Sequence, residues 1–249
     1  MGRRAAPSHP LIDHLSLWER ERGVVYAPVR VCGRFNLSSP KEIVERFGFM
    51  DWSEKRIEPR FNIAPSQEIV TIVQLPLEPP SLQTAVWGLH PFWLAAGRPP
   101  PINARAESLN SSAMFREAQR CLIPATGFYE WRNGQPMHIR LRSGEAFAFA
   151  GLWLPPVHHA QLPTAAIVTT RSNELVATIH TRMPAILRPE DERRWLDPQA
   201  DAREIAAHPV DASQLEAYPV GRQVNSWANE GPELIAQAAP PEAQLGLPL

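Results

Sequence analysis

Cysteine is scarce in this sequence, and its scarcity excludes one class of protein. The chain of 249 residues carries two cysteines, Cys32 and Cys121, whereas small secreted domains stabilised by disulfides carry many more. Two isolated thiols indicate a reducing compartment, and we expect the protein in the cytoplasm. The length suits one large domain with a substantial core.

Long apolar runs and an excess of charge are also missing. No stretch approaches the eighteen or so apolar residues of a membrane-spanning helix. Charged residues throughout 13–22 exclude the apolar region of a secretory signal. The net charge is −1, so the binding of a polyanion would depend on a local cluster of arginines. The cysteines and histidines show no metal-ligand spacing, and we expect neither a metal nor another cofactor.

Proline, by contrast, is abundant. The 27 prolines predict many short elements joined by rigid turns rather than long helices. Asn133 and Gly134 predict a tight hairpin turn, and 60–65 reads as an ordered loop. We therefore expect one α+β domain, in which short helices accompany a strongly bent, mostly antiparallel, barrel-like sheet. The clearest strands are predicted at 68–75, 82–89, 121–124, 127–132, 146–154 and 165–170.

Three residues could carry chemistry. Cys32 stands directly before a glycine and could be a nucleophile if a neighbour lowered its pKa, although most free cysteines are buried structural residues. Glu130 alternates with aromatic residues in the strand 127–132, so it either lies in an enclosed site as a proton shuttle or pairs with an arginine at the surface. His180 follows a helical turn, where backbone carbonyls often satisfy a histidine.

Polar residues elsewhere could bind an anion. Asn103, Arg105 and Glu107 are spaced by two, so they share one face of an extended segment. Asn103 and Arg105 could bind a sugar or phosphate edge, as could Arg34 and Arg182. Alternatively, Glu107 could form a buried ion pair with an arginine. The aromatic residues at 92 and 93 lie in a proline-rich loop, where they could stack on bases or cover the core.

Taken in chain order, five motifs resemble the SOS-response-associated peptidase (SRAP) family. They are CGRF at 32–35, FNIAP at 61–65, INARAE at 102–107, CLIPATGFYEW at 121–131 and IHTRMP at 179–184. The resemblance runs from Cys32 to about Ile235. It implies a protein that binds single-stranded DNA and traps abasic sites as a covalent protein–DNA crosslink.

The resemblance also implies a role for each site residue. The nucleophile of the family is an N-terminal cysteine, which matches Cys32, because only a terminal cysteine offers the amine and the thiol that condense with an aldehyde. Glu130 matches the proton shuttle, His180 the residue that assists sugar ring opening, and Asn103 the residue that orients the amine. The DNA-side positions match Arg34, Asn62, Trp93, Arg105 and Arg182.

The segment before Cys32 departs from this pattern, since an amine in a peptide bond cannot close the ring. We expect 1–31 to be an extension that is disordered or that reflects a misplaced translation start. Val31 fits the second explanation, because GTG is read as an initiator methionine in bacteria; autoproteolysis before Cys32 is the other route. We expect the domain to span 32–237 and a disordered, proline- and alanine-rich tail at 238–249.

Two further functions stay open on the sequence. One is a thiol peptidase with Cys32 as nucleophile and His180 as base. The other is a non-catalytic protein that binds single-stranded DNA. We expect a monomer in each case.

Overall fold

The computed structural model describes residues 32–40, 42, 46, 57–95, 97–156 and 162–239. The predicted extension 1–31 lies outside these residues, as does the predicted tail from residue 240 onward. The described part combines two mostly antiparallel sheets with short helices, which confirms the predicted α+β class. None of its helices is long and apolar enough to cross a membrane.

Short strands dominate the described residues. The helices are α1 (Ala113–Arg116), α2 (Glu174–Ala177), α3 (Pro189–Leu196) and α4 (Ala202–Ala207), with 3-10 turns at Ala106–Ser108, Ala212–Gln214, Arg222–Asn225 and Pro232–Ile235. The strands are β1 (Phe35–Leu37), β2 (Arg60–Ile63), β3 (Glu68–Val73), β4 (Ser81–Trp87), β5 (Asn103–Arg105), β6 (Gln119–Ala125), β7 (Gly127–Arg132), β8 (Gln135–Leu141), β9 (Phe147–Leu154), β10 (Thr164–Arg171), β11 (Arg182–Pro184), β12 (Ile186–Leu187) and β13 (Leu215–Pro219).

One of the two sheets closes on itself. The five-stranded sheet has the order β13-β8-β7-β1-β2, and all of its pairs are antiparallel. In the eight-stranded sheet, β10, β4, β3, β6 and β9 follow one another, and β9 pairs again with β10. This ring explains the strong bending that the short strands predict.

Aromatic residues join the two sheets. The ring of Phe35 on β1 lies edge-on to Trp87 at 5.2 Å and to Phe149 at 5.8 Å between centroids. All three side chains are buried, and edge-to-face pairs of this kind contribute about 0.5–1.5 kcal/mol each beyond the area that they bury. The segment that leads out of Cys32 is thereby anchored in the main core.

The predicted hairpin turn is confirmed, whereas the predicted loop at 60–65 is wrong in part. Asn133 and Gly134 have φ of 51° and 79°, as the predicted hairpin turn requires, and they connect β7 with β8. The predicted loop at 60–65 contains β2, which pairs with β1. This strand depends on a partner more than twenty residues away. Its four residues, RFNI, alternate between polar and apolar over too short a stretch to distinguish a strand from an ordered loop.

Strand β10 organises the second half of the domain. Its residue Thr169 is opposite Arg105 of the parallel strand β5 and opposite Pro184 of the antiparallel strand β11. The C-terminal part of β10 therefore lies between β5 and β11. Short strands from three distant parts of the chain present their side chains together here.

Gly151 offers a test of the packing between β6 and β9. A methyl group at this position would lie 2.7 Å from Cys121 Sγ and 2.8 Å from Ile123 Cδ1, both buried. We expect Gly151→Ala to lower the free energy of unfolding by about 1–3 kcal/mol, because the core cannot expand without strain. Urea unfolding measures the loss, and the second substitution Cys121→Ala should recover part of it. An unchanged midpoint in Gly151→Ala would contradict the close approach of these strands.

Candidate active site

Cys32 and Glu130 meet in a buried corner of the five-stranded sheet. The backbone nitrogen of Cys32 donates to Glu130 Oε1 at 2.6 Å, although 98 positions separate the two residues. Tyr129 N donates to Arg34 O at 3.0 Å, and this bond aligns the segment after Cys32 with β7. The exposed fraction is 0% for Cys32 and 2% for Glu130. Of the two interpretations that the sequence left open for Glu130, the structure shows the enclosed one.

Burial controls the ionisation of both groups. It raises the pKa of Glu130 to about 8, while the hydrogen bond from the Cys32 nitrogen acts in the opposite direction. Burial, followed by the nearby Glu130 carboxyl, also raises the pKa of the Cys32 thiol well above its ordinary value. At neutral pH, with Cys32 in a peptide bond, the corner therefore holds a protonated carboxyl and a protonated thiol.

The backbone at Cys32 is strained. Its φ is 44°, in the left-handed region that few residues other than glycine adopt. Such a conformation costs about 1–3 kcal/mol and persists only where surrounding contacts impose it. At Cys32, the hydrogen bond to Glu130 and the packing around the buried thiol hold the backbone in this conformation.

Arg34 and Asn62 together hold the segment 224–229. Arg34 Nη1 donates to Asn62 Oδ1 and to the carbonyl of Val224, both at 2.7 Å. Asn62 Nδ2 donates to the carbonyls of Ser226 and Asn229, both at 2.8 Å. The sequence predicted Arg34 and Asn62 as DNA-side residues, and their binding of DNA stays a prediction. Their structural role was missed because the partners are backbone carbonyls far along the chain.

A second group of predicted residues lies on the eight-stranded sheet. Arg182 on β11 forms a two-pronged ion pair with Glu107, with Nη1–Oε1 at 3.0 Å and Nη2–Oε2 at 2.9 Å. Its Nη2 also donates to the carbonyl of Thr169 on β10 at 2.7 Å. The pair lowers the pKa of the Glu107 carboxyl. Arg182 is therefore held in one orientation. The Glu107 carboxylate lies against its guanidinium, at a position that another anion could also take.

His180 is held by the backbone of its own turn. Its Nδ1 lies 3.1 Å from both the amide nitrogen and the carbonyl oxygen of Arg182, and its carbonyl accepts a bond from Ser172 Oγ at 2.6 Å. The ring is half-buried. Because these contacts use Nδ1, Nε2 is the ring nitrogen that can reach a substrate.

The remaining predicted residues border this second group. Asn103 and Arg105 are the first and last residues of β5; Asn103 is half-buried and Arg105 is exposed. Trp93 is 43% exposed and its neighbour Phe92 is 71% exposed. Both lie in the connection between β4 and β5, which is closed at its base by the bond from Leu89 N to Pro101 O at 2.9 Å. The two aromatic rings thus project from a tethered loop.

Other features of the surface do not coincide with this site. A cavity of about 760 Å³ lies beside the β3–β4 turn and the end of α3, where Leu75, Arg120 and Leu196 line it. None of the predicted site residues is among the described residues that line it. Within the described part of the chain, no three His, Cys, Asp or Glu side chains are placed to hold a metal ion.

Comparison with known proteins gives one consistent result. The sequence model of a family described as SOS response associated peptidase (SRAP) matches residues 31–227. The abasic site processing protein YoqW of Bacillus subtilis is 41% identical over 82% of this chain and 99% of its own length. YedK of Escherichia coli, which bears the same description, is 30% identical over 82% of this chain and 99% of its own.

Solved structures share the fold. A protein from Bacteroides thetaiotaomicron superimposes with a TM-score of 0.70 over 84% of this chain and all of its own, at 24% identity. A phage-related protein from Bordetella bronchiseptica superimposes with a TM-score of 0.60 at 30% identity, over 76% of this chain and 94% of its own.

The buried Glu130 carboxyl should make stability depend on pH. The native chain keeps this proton up to about pH 8, whereas the unfolded chain releases it near its ordinary pKa of about 4.3. The free energy of unfolding should therefore fall as the pH rises through this window, by up to about 1.4 kcal/mol per unit for one proton. Urea unfolding of the full chain between pH 5 and 8 should give a shallower decline for Glu130→Gln.

The exposed Glu145 supplies the matched control for this experiment. Glu145→Gln makes the same chemical change in the connection between β8 and β9, and the decline with pH of this variant should equal that of the unsubstituted chain. Glu192, whose pKa burial raises to about 7, is present in all three proteins and cancels in the comparison. Parallel declines for Glu130→Gln and the unsubstituted chain would show that Glu130 is ionised in the native state.

Proposed function

The chain belongs to the SOS response associated peptidase family, and from this premise we propose that it captures abasic sites in single-stranded DNA through the amine and thiol of Cys32. The observation that carries the proposal is the 2.6 Å contact between the Cys32 nitrogen and Glu130 Oε1. The relatives YoqW and YedK are abasic site processing proteins, which supports an abasic site as the substrate. The captured lesion would remain shielded until repair.

The reaction follows from the chemistry of an aldehyde. An abasic sugar opens to expose an aldehyde, and a neutral amine attacks its carbon to form an imine with loss of water. The thiol of the same cysteine then adds across the imine. Its sulfur bonds to the carbon and its proton passes to the nitrogen, which closes a thiazolidine ring. Glu130 supports this sequence because its carboxyl can accept a proton from the amine and return it to the departing hydroxyl.

The proposal requires a chain in which Cys32 is the first residue. Its left-handed φ of 44° supports this, since loss of the preceding carbonyl removes the steric restriction on φ. A free amine would also change the site, because an ammonium group beside Glu130 lowers the carboxyl pKa. Either initiation at Val31 followed by removal of the initiator methionine, or cleavage before Cys32, would produce this form.

The same environment disfavours a thiol peptidase. That chemistry needs a thiolate, and thiolates form where neighbouring cations lower the pKa. Here burial and Glu130 raise the pKa of the Cys32 thiol. A protonated thiol suits the order proposed above, in which the amine attacks first.

Binding of the DNA strand would use the second group of residues. Arg105 and Arg182 would bind phosphates, Trp93 would stack on a base, and Asn103 with His180 would orient and open the sugar. Arg34 and Asn62 would act by holding the segment 224–229 beside the strand. No global positive charge is available, because twenty basic and twenty-three acidic residues remain after residue 31. Affinity should therefore fall steeply with salt.

Covalent capture can be tested directly. A chain that begins at Cys32 is incubated with a single-stranded oligonucleotide that contains one abasic site, and the products are separated on a denaturing gel. We expect a shifted band, and we expect none with Cys32→Ala, which lacks the thiol that closes the ring. A chain that retains residue 31 should also give no shifted band, because the backbone nitrogen of Cys32 is then part of a peptide bond and cannot form the imine.

Two outcomes would contradict the proposal. Reversible DNA binding without any shifted band would favour the non-catalytic alternative. Cleavage of peptides without any effect on the oligonucleotide would favour a peptidase. Borohydride treatment of Cys32→Ser adds a control, since its amine can still form an imine, which reduction traps.

The same assay separates catalysis from binding. We expect Glu130→Gln and His180→Ala to slow crosslinking at saturating DNA by about 10²–10⁴-fold each, the range of a lost proton-transfer group, and to leave DNA affinity within a few fold. Fluorescence anisotropy with undamaged DNA measures the affinity. Normal crosslinking with strongly weakened binding in either variant would show that its role is in DNA binding.

A further inference from the structure

Arg171 lies beside the predicted phosphate-binding residues but belongs to none of the motifs. It is the last residue of β10 and is directly opposite Arg182 of β11 in the antiparallel register. Residues directly opposite each other in such a pair project from the same face of the sheet. Ser172 N donates to the carbonyl of Thr181 at 3.3 Å, which continues the pairing past Arg171. Arg171 therefore has a defined place next to Arg182.

A third arginine lies on the same face. Thr169, two positions before Arg171 on β10, is opposite Arg105 of the parallel strand β5. Because alternate residues of a strand share one face, Arg105, Arg171 and Arg182 project together, while Ala104, Val168 and Met183 point into the core, where they are buried. Arg105 and Arg171 are exposed.

The charge of this face is unbalanced. Glu107 is the acid bound to the cluster; it pairs with Arg182 and also interacts electrostatically with Arg171. Three arginines and one glutamate leave a net charge of +2. Like charges directly opposite each other on a sheet are destabilising, so this arrangement is costly unless an anion binds to it.

We infer that Arg171 binds a backbone phosphate of the DNA strand and forms, with Arg105 and Arg182, one phosphate-binding face beside His180. This inference rests on the proposed binding of single-stranded DNA. It adds a contact at a position that the family motifs do not include. The two-pronged geometry of a guanidinium suits phosphate, and the exposure of Arg171 leaves it accessible to the strand.

The salt dependence of binding tests this role. The full 249-residue chain is titrated with an undamaged single-stranded oligonucleotide, so that crosslinking does not contribute. Each phosphate contact contributes about 0.7 to the slope of log affinity against log salt. We expect Arg171→Gln to reduce the slope by this amount and to weaken binding several fold at low salt. Arg171→Lys should retain the slope, since it keeps the charge.

Arg193 provides a matched control. It is exposed on α3, a helix that packs against β6 and β9, and Arg193→Gln removes the same charge. We expect that variant to keep the slope of the unsubstituted chain. If Arg171→Gln and Arg193→Gln give equal slopes, or if Arg171→Lys loses as much slope as Arg171→Gln, Arg171 does not bind phosphate as a cation.

The same titration distinguishes a failure of the proposed function from a failure of the inference about Arg171. If neither the full chain nor a chain that begins at Cys32 binds the oligonucleotide at low salt, both the proposed function and the role of Arg171 are wrong. If the unsubstituted chain binds and only the slope of Arg171→Gln is unchanged, the proposed function stands and the inference about Arg171 fails. Thermal unfolding of each variant confirms that the sheet is intact.

Discussion

The hydrogen bond from the Cys32 nitrogen to the Glu130 carboxyl is the contact on which the candidate site depends. It joins residues 98 positions apart in a place where solvent reaches neither. Burial there raises the pKa of both side chains. A buried carboxyl is costly unless it is neutral or well bonded, so the hydrogen bond from the Cys32 nitrogen offsets part of the cost of burying Glu130.

The fold holds the two residues of that contact in place. The aromatic contacts of Phe35 with Trp87 and Phe149 fix the start of the domain against the ring-shaped sheet. Pairing of β1 with β7 then brings the backbone nitrogen of Cys32 within hydrogen-bond distance of the Glu130 carboxyl. Arg34 and Asn62 hold the segment 224–229 through its backbone carbonyls. The placement of Cys32 beside Glu130 thus requires contributions from distant parts of the chain.

The second group of residues serves a different purpose. Short strands β5, β10 and β11 present polar and cationic side chains on one face, while their alternate residues enter the core. Glu107 orients Arg182 and occupies an anion position. In the proposed function this face would hold the DNA backbone, and the buried corner would perform the chemistry. The division separates affinity, which salt controls, from reactivity, which burial controls.

The sequence by itself determined the fold class, most strands, and the turn at Asn133 and Gly134, because each depends on neighbouring residues. The alternation in 127–132 left Glu130 either enclosed or at the surface, and tertiary packing encloses it. Ordered motifs also indicated the family and the candidate residues. Tertiary structure alone decided the strand at 60–63, the partners of Arg34 and Asn62, and the pairing of Arg171 with Arg182. Those features arise from contacts between distant segments, and local spacing carries no information about which segments meet.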